Sequence, residues 1–208
     1  MKRLSAAVAA ALIGLLVAAC AGSGASPVGG TAGASQAIIT PTALASPSAS
    51  GSALSSGAAE LAALIPDNIG NITLQKQSFS GEQFVGSGTA SKEAQDFLNG
   101  LGVSTDDVTV AVGFGVDPGS QALFAELLFR AQGASSDQLL SLFKDAANKQ
   151  QQVPLEWQSV QVGGKNVEKT ANPTQGAGTV YLYATGDLLA YITAGNDDQA
   201  AEALSSLP

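Results

Sequence analysis

Residues 108–130 read VTVAVGFGVDPGSQALFAELLFR. Val108, Val110, Val112 and Phe114 alternate with small or polar residues, which is the period of a strand with one buried face. Asp117-Pro118-Gly119 is a turn by its chemistry, because Pro fixes φ and Gly tolerates positive φ. The chain returns from Ala122 to Arg130 with Leu123, Ala125, Leu127 and Phe129 on one side. Two strands joined this closely must run antiparallel. Ser135-x-x-Gln138 has the form of a capping box, and the helix after it lines up Leu139, Leu140, Leu142, Phe143 and Ala147. A hairpin followed by an amphipathic helix predicts an α+β fold, an antiparallel sheet with amphipathic helices on one face.

The same signals extend in both directions. Upstream, a short helix is expected over Ala59–Leu64, ahead of Pro66, and a strand over Asn71–Ser78. Ser80-Gly81-Glu82 is expected to turn, with a weaker strand over Gln83–Ser87. Ser91–Leu101 has helical spacing (Ala94, Phe97, Leu98, Leu101), with Gly102 as its stop. Downstream, Glu156–Val162 and Lys165–Lys169 read as strands around Gly163-Gly164, and Asn172–Gly178 as a loop. Thr179–Ala184 and Leu188–Thr193 form a hairpin around Gly186-Asp187, and Asn196 or Asp197 caps a last helix over Gln199–Ser206. Two correspondences suggest two duplicated ββββα halves. Phe79–Phe84 matches Val162–Val167 in pattern, and Gly133 to Gln138 with its helix matches Gly195 to Gln199 with its helix.

Composition narrows the chemistry. The chain has 9 basic and 17 acidic residues, no His and one Cys. Without His there is no Ser-His-Asp or Cys-His catalysis and none of the usual zinc sites. An acidic surface is repelled by phosphate backbones, so nucleic acid is not an expected partner. Ser141-Leu142-Phe143-Lys144 fits the S-x-x-K pattern, but no S-D-N follows it. Asp106-Asp107 and Asp197-Asp198 stand near element starts, where carboxylates favour helix N-termini, and no EF-hand spacing accompanies them. Gly113-Phe114-Gly115 has Pro118 where a dinucleotide fingerprint needs Gly. No catalytic residue, metal site or cofactor is expected.

The last hairpin is apolar on both sides. Tyr181, Tyr183, Leu188, Ala190 and Ile192 fall on one face, and Val180, Leu182, Ala184, Leu189 and Tyr191 on the other. Such a hairpin is either buried centrally under a helix or faces an apolar groove. The groove reading nominates Trp157, Tyr181, Tyr183 and Tyr191 as its lining.

The N-terminus indicates location. Lys2 and Arg3 precede an apolar run that closes on Val17-Ala18-Ala19-Cys20, with Cys20 the only cysteine. This resembles the signal peptide and lipobox of bacterial lipoproteins. The resemblance implies a signal peptide over 1–19, a diacylglyceryl group on the Cys20 thiol and cleavage that leaves Cys20 as the N-terminus, usually acylated as well. Two acyl chains bind a membrane stably. The resemblance places the protein at the cell membrane, lipid-anchored on the extracytoplasmic face. Losing Lys2 and Arg3 leaves 7 basic against 17 acidic side chains, a balance of −10. From Ala21 to about Ser56 the chain is almost entirely Gly, Ala, Ser, Thr and Pro. Such a segment buries too little apolar surface to offset ordering entropy and is expected to be a tether. The expected organisation is therefore 1–19 leader, 20–57 anchor and tether, and 58–208 a single α+β domain. The expected function is a non-enzymatic cell-envelope lipoprotein that binds an envelope protein partner or has a structural role. The alternative is a carrier or sensor of a lipid-like or other apolar ligand. An enzyme without a recognisable motif comes third.

Overall fold

The computed structural model of the chain describes residues 56–86, 91–149, 154–171 and 178–208. Cys20, the leader and the tether as far as residue 55 lie outside the described residues. The first described element, α1 (Ser56–Ala63), starts two residues ahead of the expected domain boundary. A small hairpin follows, β1 (Asn68–Ile69) and β2 (Ile72–Thr73), turning at Gly70 with φ +54°. The remaining strands are β3 (Gln75–Ser80), β4 (Val108–Val116), β5 (Leu123–Ala131), β6 (Gln158–Val162), β7 (Lys165–Ala171), β8 (Thr179–Thr185) and β9 (Leu188–Ala194). They form one seven-stranded antiparallel sheet in the order β3-β4-β5-β9-β8-β7-β6. The remaining α-helices are α2 (Gly81–Gly86), α3 (Ser91–Leu101), α4 (Ser136–Lys149) and α5 (Asp197–Ser205). No helix among the described residues is long and apolar enough to cross a membrane.

The α+β class and the antiparallel sheet agree with the sequence, and so does the β4–β5 hairpin. Asp117 shapes its turn by accepting hydrogen bonds from the backbone N–H groups of Gly119 (2.7 Å) and Ser120 (3.1 Å). These donors hold the Asp117 carboxyl below the usual carboxylate range.

Helices cover both faces of the sheet, where the sequence suggested one. Leu61 of α1 and Ala200, Ala203 and Leu204 of α5 pack with Ala111, Phe124, Leu128, Ala190 and Ile192. Val85, Ala94, Leu98 and Leu139 of α2, α3 and α4 pack with Val108, Val110, Val112, Phe129 and Leu189. Successive strand residues point to opposite faces, so these two sets lie on opposite sides. The cause is the central strands themselves. Along β9, Leu188, Leu189, Ala190 and Ile192 are all at most 2% exposed, so both faces need a cover.

The duplicated halves are not found. Antiparallel neighbours such as β5 and β9 would be exchanged by a twofold axis normal to the sheet, and that axis keeps both following helices on one face. Instead α4 follows β5 onto one face and α5 follows β9 onto the other. The first half supplies three strands to the large sheet and the second supplies four. The correspondence of Phe79–Phe84 with Val162–Val167 also fails. Gly163 and Gly164 turn a hairpin at φ +58° and +80°, whereas Gly81 opens α2. Ser80 and Gln83 make a reciprocal cap there: the Ser80 N–H donates to Gln83 Oε1 (3.0 Å) and the Gln83 N–H to Ser80 Oγ (3.3 Å). The expected turn and strand over 80–87 are therefore a capped helix up to Gly86. A side chain is also excluded at Gly81, where a Cβ would come 2.1 Å from the Thr105 carbonyl oxygen.

Candidate functional site

The four aromatic residues nominated for a groove do not line one surface. Tyr181 and Tyr183 project to the face covered by α5, and Tyr191 to the face covered by α4. The expected alternation of the last hairpin holds, but β8 and β9 lie inside the sheet with helices on both sides. Tyr181 is fully buried. Its hydroxyl donates to Asp197 Oδ1, and Lys169 Nζ pairs with the same oxygen at 2.6 Å while sitting 5.4 Å from the Tyr181 ring centre. Lys169 and Tyr181 together hold the Asp197 carboxyl below its ordinary value. Burial, and then the neighbouring Asp197, push the Tyr181 phenol upward. Asn196 caps α5 by accepting from the Gln199 N–H at 3.0 Å. This group anchors α5 to β7 and β8.

Tyr183 has a similar structural role. Its hydroxyl donates to the Pro208 carbonyl at 2.6 Å. Lys165 lies 4.9 Å from the Tyr183 ring centre and donates to the carbonyls of Leu207 (3.1 Å) and Pro208 (2.9 Å). On the other face, Tyr191 packs on Phe143 at 5.7 Å between ring centres, and burial raises its phenol. Trp157 stands before β6, with Lys144 Nζ 5.8 Å from its ring centre. Lys144 bridges to Glu168 at 2.7 Å, and Ser159 donates to the other oxygen of the same carboxylate. Lys144 first, and then Ser159, keep the Glu168 carboxyl low. A carboxylate stabilised in this way is a weak base, and Ser141 of the S-x-x-K pattern is exposed on α4.

The paired aspartates do local work. Asp107 accepts from the Ser104 hydroxyl at 2.7 Å at the start of the short 3-10 turn Thr105–Asp107, and Asp197 belongs to the α5 anchor. Among the described residues no group of three His, Cys, Asp or Glu side chains could hold a metal ion.

Two further features were not nominated from the sequence. The first is an uncovered apolar strip on the α4 side of the β4–β5 hairpin. Val116 and Leu123 face each other across the strands and are 51% and 41% exposed. Phe114 and Leu127 continue the strip and are half-buried. The hairpin alternation contained these residues, but which part of the face is left open depends on where helices distant in sequence pack and is not a local property.

The second is Glu126, at the middle of β5. It is completely buried, and neither carboxylate oxygen has a hydrogen-bond partner. Burial lifts its carboxyl to about 8, against the opposing pull of Lys76. Phe124-x-Glu126-x-Leu128 was the available signal, since a carboxyl between two large apolar residues on one strand face is headed for the interior.

The chain matches no family model, no curated protein and no solved structure with which it was compared.

Proposed function

We propose that the chain is a lipid-anchored lipoprotein of the cell envelope, held on the extracytoplasmic face, whose domain is a non-enzymatic binding module for a protein partner. The observation that carries this reading is the Val17-Ala18-Ala19-Cys20 stretch after a basic and apolar leader, ending on the only cysteine. The binding role draws support from the Val116–Leu123 strip. Large apolar side chains exposed side by side, next to half-buried Phe114 and Leu127, suit a partner's apolar surface. The carrier reading loses its proposed lining, because Tyr181 and Tyr183 are committed to α5 and the chain's last residues.

Phase partition of cells expressing the protein tests the anchor. The wild-type chain is expected in the detergent phase and the Cys20→Ala variant in the aqueous phase. Equal retention of both in detergent would refute the lipid anchor.

A further inference from the structure

The buried carboxyl of Glu126 shares a cross-strand row with a cation. Lys76 of β3 faces Gly113 of β4, and Gly113 faces Glu126 of β5. Strands lie about 4.8 Å apart, so two steps separate the Lys76 and Glu126 backbones by roughly 10 Å. An extended Lys and an extended Glu on one face can span that gap, and Gly113 puts no side chain between them. The space above Gly113 is filled from outside the sheet by Ile65, which follows α1. A Cβ at Gly113 would come 2.6 Å from Ile65 Cγ2. Lys76 does not complete the row. Its ammonium donates to the Ile65 carbonyl and pairs with Asp67 at 2.7 Å, holding down the end of α1. The cation that could neutralise Glu126 is thus occupied with the segment that separates them.

We propose that α1 and its following turn form a proton-controlled latch on the sheet. With Glu126 protonated, Lys76 clasps Ile65 and Asp67, and α1 lies over β3, β4 and β5. With Glu126 ionised, the buried carboxylate requires a partner, Lys76 turns into the row to meet it, and the end of α1 is released. The other charges on this face do not compete. Arg130 lies four residues along β5, roughly 13 Å away, and its nearest partner is Asp187. Glu60 on α1 and Asp198 on α5 are exposed. Asp197 is held by Tyr181 and Lys169, and Glu202 accepts from the Gly70 N–H at 2.8 Å. The face-lining residues of β4 and β9, Ala111, Gly113, Gly115, Leu188, Ala190, Ile192 and Ala194, carry no charge. The α1 helix joins the sheet to everything N-terminal of it, so its release would change how residues 1–55 are connected to the domain.

Methyl NMR of the full chain, labelled at the isoleucine δ1 carbons and titrated from pH 5.5 to 9.5, tests the latch. Ile192 neighbours Glu126 across β5 and β9, and Ile65 reports on the segment after α1. Both methyls are expected to shift with one shared midpoint near 8. Glu126→Gln should abolish both shifts, and Glu126→Met serves if that variant folds poorly. Lys76→Met should raise the midpoint by about one unit, since it removes the cation that stabilises the ionised form. Three results would overturn the proposal: no shift at either methyl, a shift at Ile192 with Ile65 stationary, or a midpoint that Lys76→Met leaves in place.

Discussion

At the scale of the residue, Glu126 sets a pH dependence with a definite sign. Its carboxyl titrates near 4.5 when unfolded and at about 8 when folded. The unfolded chain therefore gives up the proton first as pH rises. The stability that the neutral group allows is complete below pH 4.5 and is lost progressively as pH rises through 8. At about 1.4 kcal/mol per pKa unit, the loss is on the order of 5 kcal/mol. Urea unfolding of Glu126→Gln should match wild type at pH 4 and exceed it by several kcal/mol at pH 8.5. A constant difference between the two across that range would mean that Glu126 does not change its proton affinity on folding. Asp117 is the opposite kind of residue, because its turn-forming bonds are local and its Pro-Gly neighbours made it legible in the sequence. Glu126 was harder to read because its local signal, Phe124 and Leu128 on the same strand face, does not say that α1 and Ile65, distant in sequence, close over that face.

At the scale of the element, legibility follows whether the deciding contact is local. The helix over Ser91–Leu101 and the cap at Ser135 were read within a residue or so, because periodicity and caps are local signals. The same Ser-x-x-Gln box at Ser80 was missed. Its Gly81 looked like a turn residue, whereas Gly is required there by the close approach of the Thr105 carbonyl. The last helix was read correctly as core. Ala200, Ala203 and Leu204 are fully buried, and Leu207 is 5% exposed. Leu204 is the large side chain at the centre of that contact. Leu204→Ala should cost about 2–5 kcal/mol, visible as a lower urea midpoint. An unchanged midpoint would mean that α5 does not contribute its buried face to the stability of the fold.

At the scale of the whole molecule, helices pack on both sides of the sheet, and the Val116–Leu123 strip leaves large apolar side chains exposed. Whether the aromatic residues of the last hairpin belong to the core or to a groove was not legible in the sequence, because whether an apolar strand face is core or site depends on which helix reaches it. The open strip makes a direct prediction for the binding role. A photo-crosslinking residue placed at Leu123 should give a discrete protein adduct in intact cells, and Val116→Asp should remove it. The same probe at exposed Gln161 should give none. Equal adducts from both positions would show that the strip is not a docking surface. The order of strands has another consequence. The seam between β5 and β9 joins residues 125–130 to residues 188–193, so the two halves of the sheet meet only through the last strand. Loop-closure entropy must be overcome before that pairing is rewarded, which slows folding. A chain threaded N-terminus first through a pore could not close this seam until β9 had emerged. The sheet is therefore completed only when the last strand pairs with β5, whatever the route by which the chain emerges.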